Sequence, residues 1–134
     1  MVIVAVALVS CWAPPKEQGA AGSAADRIQA IPPADPAKYR AAVKGWQNPY
    51  LIIRTDGVGL LDLSNNEEHI VKPEQVTDVL AKLPASAWPY GRVVAVQENS
   101  VSSEPERVLI RRNRAIVAGT LEGLHVFITW VPSS

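Results

Sequence analysis

Two β-rich runs, Tyr50–Thr55 and Val58–Leu63, stand on either side of Asp56-Gly57 in the stretch YLIIRTDGVGLLDL. So short a connection leaves the runs one arrangement, an antiparallel hairpin, and Asp-Gly suits the positive φ of its tight turn. Such a pair is at best marginally stable alone and must bury its apolar face against further elements. The segments that follow supply them. VKPEQVTDVLAKLP sets Val76, Val79, Leu80 and Leu83 at i, i+3, i+4 and i+7, one apolar helical stripe. Pro73 opens this helix, Glu74 lies in its first turn, Lys82 in its last, and Pro84 follows. RVVAVQ is apolar on both faces, as a central strand covered on both sides would be. Ser103 is an N-cap for a second helix that starts Glu104-Pro105-Glu106. That helix spreads Leu109, Ile110, Ile116, Val117 and Leu121 over one broad face, with Asn113 inside it, and Gly123 can end it. HVFITWVP reads as a last strand terminated by Pro132, and SNNEEH as a polar loop after the hairpin.

The expected order is β-β-α-β-α-β. Strand–helix–strand steps favour right-handed crossovers and parallel neighbours. The expected fold class is therefore α+β: a two-layer α/β sandwich with a mixed four-stranded sheet and two helices on one face. This compact domain is expected over residues 49–134.

Upstream, MVIVAVALVS runs straight into Cys11, the only cysteine. Ten residues are too few to cross a bilayer as a helix, which needs about 20. A secretory apolar core needs only roughly 7–15. The following APPKEQGAAGSAA is Pro-, Gly- and Ala-rich and reads as a spacer. Residues 1–10 are expected to be a signal peptide, although they hold no Lys or Arg, which such a leader normally carries at its start. Residues 11–48 are then a spacer with a short helix near 36–45, capped by Asp35 with Pro36 at its first position.

Lys plus Arg and Asp plus Glu balance at 13 each, so no bulk charge points to nucleic acid. One cysteine excludes an intrachain disulfide framework and a cysteine metal cluster. No Gly-rich loop opens a helix to hold phosphate, no local Ser/His/acid motif stands out, and neither a metal nor a cofactor is expected. Three groups of residues invite a functional reading. Asp56, Glu68 and His69 are the candidates for a small hydrolase-type enzyme, set against a plain solvated turn and loop. Trp88, Tyr90 and Arg92 in WPYGR form a stiff amphipathic corner that could stack a peptide or glycan, set against a core-capping role. Arg107, Arg111 and Arg114 form a helical ridge that could meet lipid phosphate or an acidic partner, set against a solvated face balanced by Glu104 and Glu122. His125 reads as structural.

Leu8-Val9-Ser10-Cys11 resembles the lipobox of bacterial lipoproteins. The resemblance implies cleavage before Cys11 and a diacylglycerol on its thiol. LIIRTDGVGLLDL, KPEQVTDVLAKL, RVVAV and the closing GLHVFI together resemble, in order more than identity, the periplasmic domain of the ExbD/TolR biopolymer-transport family. That resemblance, over roughly residues 49–133, implies the fold and an envelope interaction role. The aspartate-bearing transmembrane helix behind that family's proton-driven movement has no counterpart, because residues 1–10 contain no carboxylate.

The expected protein is thus non-enzymatic: lipid-anchored at Cys11, on the periplasmic side of a bacterial membrane, with a small binding domain. Its partner would be a protein or a second copy of itself, met by sheet-edge pairing. A small enzyme or a purely structural assembly subunit are the alternatives.

Overall fold

The computed structural model describes residues 23–42 and 45–132. It is a mixed α/β fold in which five strands form one sheet. Two short helices come first, α1 (Ala24–Gln29) and α2 (Pro36–Ala41). Then follow β1 (Tyr50–Ile53), β2 (Val58–Asp62) and β3 (Glu67–Val71). A 3₁₀ turn, Pro73–Gln75, runs into α3 (Val76–Ala81) and leads to β4 (Val93–Glu98), α4 (Glu104–Gly123) and β5 (Phe127–Val131). The strand order is β3-β2-β1-β4-β5. The β1–β2 and β2–β3 pairs are antiparallel, whereas β1–β4 and β4–β5 are parallel.

The hairpin forms as its sequence requires. Its turn closes with the Arg54 amide donating to the Gly57 carbonyl at 2.9 Å. Gly57 is needed because a Cβ there would collide with the Val71 carbonyl of β3. The sheet has five strands where four were expected, and the order becomes β-β-β-α-β-α-β after the two short helices. The additional strand, β3, arises from EEHIV, half of which was expected to be loop. As an edge strand it leaves Glu67, His69 and Ile70 exposed, so it carries no alternating apolar pattern.

Register puts Leu51, Ile53, Val58, Leu60, Val71, Val94, Val96 and Ile128 on one face. Onto it pack Val76 and Leu80 of α3, and Ile110, Val117 and Leu121 of α4, forming the core. Each of the fully buried aliphatics contributes about 1.5–3 kcal/mol by leaving water. Asn113, buried within this face, donates to the Arg54 carbonyl at 2.7 Å, which satisfies its amide. β4 is buried on both faces from Val93 through Val96, as its continuous apolar run requires.

α4 starts as its sequence predicts. Ser103 caps it by accepting from the Glu106 amide, and the Glu106 carboxylate accepts from the Ser103 hydroxyl. Gly123 is its last helical residue, but the glycine is not the left-handed cap. Leu124 is the C-cap and His125 takes the left-handed position, with φ 58°. The Val126 amide reaches the Leu121 carbonyl and the His125 amide the Glu122 carbonyl, a Schellman closure.

The packed unit begins well before residue 49. Ile28 of α1, only 1% exposed, belongs to the core, and Gln29 donates to the Leu124 carbonyl. Pro33 bridges to Arg92 beside β4. α2 starts at Asp35 and Pro36 as expected, and its Tyr39 stacks on Phe127 at 5.5 Å across the sheet's second face.

Fully buried Asn48 joins these parts. Its Nδ2 donates to the carbonyls of Gly91 and Val93, both at 2.8 Å, and its Oδ1 accepts from the Tyr90 amide at 2.9 Å. Removing this amide leaves buried backbone groups unpaired. Asn48→Ala is expected to destabilise the fold by about 2–4 kcal/mol, since each orphaned buried group costs about 1–3 kcal/mol. Urea unfolding should show the midpoint falling with little change of slope.

Candidate functional site

Asp56, Glu68 and His69 do not converge. Asp56 is exposed on the hairpin turn. Glu68 and His69 are consecutive on β3, so their side chains leave opposite faces of the sheet. Glu68 lies on the second face, where it accepts from Nε of Arg54 and, at 2.7 Å, from its second terminal nitrogen. Gly59 makes room for this bidentate pair, because a Cβ there would run into the Glu68 carboxylate. The Glu68 hydrogen bond holds the Arg54 guanidinium still further above its ordinary pKa, against a smaller opposing effect of burial. Glu68 is thus the half-buried ion-pair partner of Arg54.

His69 lies on the helix-covered face, beside a cleft of about 400 Å³ that also borders Gln47, Asp62, Ser64 and Leu83. Asp62 Oδ1 accepts from both the Ser64 hydroxyl at 2.6 Å and the Ser64 amide at 3.0 Å. These bonds, the hydroxyl's first, hold the Asp62 carboxyl below its ordinary pKa, with a lesser contribution from His69. The arrangement is a side-chain turn that shapes the β2–β3 connection. Ser64 directs its proton to Asp62, so no imidazole activates it as a nucleophile. Among the described residues no three His, Cys, Asp or Glu side chains could hold a metal ion.

WPYGR is a packed corner, and the binding surface expected of Trp88 and Tyr90 is buried. Trp88 is 4% exposed and Tyr90 8%, so neither ring face can stack a ligand. The Tyr90 hydroxyl accepts from the Gln47 amide at 3.1 Å and donates to the Gly45 carbonyl at 3.4 Å, while its ring tilts against Trp46. Gly91, at φ 83°, lets the Pro33 carbonyl approach where a Cβ would clash. Arg92 donates to Gln29 Oε1 at 2.8 Å, which ties it to α1.

The arginine ridge on α4 is balanced by acids. Arg107 and Arg111 both reach Glu104, at 3.1 and 3.2 Å, and Arg114 reaches Glu98 at 2.7 Å. Arg107, then Arg111, holds the Glu104 carboxyl below its ordinary pKa. Exposed pairs like these stabilise little, and because Arg107 and Arg111 share Glu104 the ridge is neutralised only in part. Arg114 has a second contact: its guanidinium lies 4.3 Å from the centre of the Trp130 ring.

The unassigned surface lies elsewhere, along β5. Both edge strands, β3 and β5, have one side without a described neighbour. β3 (EEHIV) guards its edge with Glu67, Glu68 and His69, whereas β5 (FITWV) carries no charge. Phe127 is 51% and Trp130 41% exposed on β5. Phe127 is braced by Tyr39 on the second face, and Trp130 by Arg114 on the helix side. Sequence reasoning placed the strand but could not show that it lies at an edge, since strand order is a tertiary property.

Cys11, the expected lipid-attachment residue, and the expected signal peptide over residues 1–10 lie outside the described residues. Among those described, no helix is long and apolar enough to cross a membrane. No protein-family model, curated protein or solved structure matches the chain.

The account of Asp62 yields a direct check. Ser64→Ala removes the shorter of the two bonds to the carboxylate, so the Asp62 pKa should rise toward its ordinary value in an NMR titration. The native pKa is depressed, so its contribution to stability is present above the ordinary carboxylate range. It is lost as pH falls through the native value. The variant should narrow that acid-side loss by giving up a small part of the stability at neutral pH, with no change below the native pKa.

Proposed function

We propose that this chain is a non-catalytic interaction module of the bacterial envelope, held to the membrane by a lipid on Cys11, and that it works by pairing along the free edge of β5. The observation that carries the reading is the contrast between the two edges: a charged, guarded β3 and an uncharged, aromatic β5. An unguarded apolar edge is a template for a further strand and is normally suppressed unless it is used.

A second copy of the chain fits that edge. The Phe127 amide turns inward to the Arg92 carbonyl, so alternation along the strand turns the amides and carbonyls of Ile128 and Trp130 outward. Antiparallel self-pairing centred on Thr129 sets Ile128 against the partner's Trp130, Thr129 against the partner's Thr129, and Phe127 against the partner's Val131. Aromatic with β-branched, and Thr with Thr, are favourable cross-strand pairs, each contributing about 0.2–1 kcal/mol. In this register the outward amides and carbonyls of both strands meet one another. The contact is isologous and closes as a dimer.

The anchor rests on the sequence: an apolar run of signal length, the lipobox-like Leu8-Val9-Ser10-Cys11, and a Pro/Gly/Ala-rich stretch after it. The ExbD/TolR-like order of elements agrees with an envelope role. A tether of this kind raises the local concentration of the domain and favours a weak edge contact. The three candidate acid–base groups point to separate surfaces, which disfavours the hydrolase alternative.

Trp130→Pro removes an outward amide without touching the ladder to β4. The wild-type chain should sediment as a dimer at micromolar concentration, and the variant as a folded monomer. A wild-type chain that stays monomeric, or a variant that stays dimeric, contradicts edge pairing. Separately, intact mass of membrane-extracted protein should show loss of residues 1–10 and a diacylglycerol adduct on Cys11. An unmodified Met1 terminus contradicts the anchor.

A further inference from the structure

The second face of the sheet holds a groove of about 570 Å³ between α2 and strands β1, β4 and β5. Its floor follows from one small residue. Ala95, itself 2% exposed, lies between Tyr50 of β1 and Thr129 of β5 in register, so its small side chain sets a low floor between two larger ones. Trp46 and Tyr39 add aromatic walls, and Trp130 and Val131 border it on the β5 side. The size and apolar character are those of a small-molecule site.

The polar groups narrow the occupant. Tyr50 donates its hydroxyl proton to Gln97 Oε1 at 2.7 Å, so toward a ligand it offers only a lone pair. Among the described residues, Arg40 is the one charged side chain that lines the groove. Arg54, Arg107, Arg111 and Arg114 each have a glutamate partner, whereas Arg40 makes no ion pair among the described residues. An exposed cation over the Tyr39 ring, with no acid paired to it among the described residues, complements an anion that carries an apolar tail.

From this complementarity we propose that the groove binds an anionic amphiphile, a medium-chain carboxylate, with its tail over Ala95 between Tyr50 and Trp46 and its head group on Arg40. The groove shares its β5 wall, Thr129 to Val131, with the proposed pairing edge, but Ala95 and Arg40, on which the test turns, lie off that strand.

Octanoate is the probe, with octyl glucoside as an uncharged tail-matched control, both below micelle formation and titrated into the full chain by calorimetry. Tryptophan emission provides a second readout, because Trp46 and Trp130 line the groove. Octanoate should bind and the glucoside should bind much more weakly. Arg40→Gln should weaken octanoate by about tenfold or more, the loss expected for a hydrogen bond to a charged group. It should leave the glucoside unchanged. Ala95→Leu, which fills the trough, should abolish binding of both while the circular dichroism spectrum stays native. No octanoate binding, equal affinity for the two probes, or an Arg40→Gln variant that binds octanoate as well as wild type overturns the proposal. If Ala95→Leu fails to fold, Arg40→Gln, an exposed change, decides the matter alone.

Discussion

The Asn48 side chain seats the two central strands against each other. Positioned just ahead of β1, it spends both amide hydrogens on the carbonyls of Gly91 and Val93 and its oxygen on the Tyr90 amide. The entry to β4 is thereby fixed beside the entry to β1, and the Ala95 amide can take the Pro49 carbonyl as the parallel ladder begins. A parallel pair has no short turn to set its register, so something else must do so. Here a buried polar side chain with every hydrogen used does it, and it excludes the slips that apolar contacts alone would tolerate. The WPYGR corner belongs to this joint. Its buried rings and the Gly91 backbone hold residues 29–33 and 45–49 onto β4, and that explains why Trp88 and Tyr90 present no free ring face.

What the sequence made legible was whatever carries a strong local signal. The Asp-Gly hairpin, the Ser103 cap and the two-sided apolar β4 all report energies set by near neighbours, and each forms as expected; the helix read from the Val76–Leu83 stripe forms too, but only over Val76–Ala81, with Pro73–Gln75 in a 3₁₀ turn and Leu83 beyond its end. β3 escaped notice because an exposed edge strand has little to bury. Its hydrogen bonds to β2 hold it, and hydrogen bonds leave no mark on side-chain pattern. α1 was hidden for a related reason. Six residues with one buried anchor, Ile28, read as part of a spacer until a groove exists to receive that side chain.

The candidate sites divide along the same line. Residue types that promise chemistry, such as Asp56, Glu68 and His69, were visible, but convergence is a property of the whole fold, and the alternation of β3 sends the latter two apart. The arginine ridge was legible as a ridge, while its neutralisation by Glu98 and Glu104 depended in part on where β4 ends. Conversely, the features on which the two proposals rest are invisible locally. FITWV reads as a strand whether central or terminal, and Ala95 reads as filler until its register neighbours are known to be Tyr50 and Thr129.

The central claim is that the outward backbone of β5 meets a second strand. Hydrogen exchange at the Ile128 and Trp130 amides, followed as protein concentration is raised, measures this at the bonds themselves. The account predicts that both become protected in step with concentration, while the already paired Phe127 amide stays equally protected throughout. Rapid exchange at Ile128 and Trp130 at every concentration would contradict it.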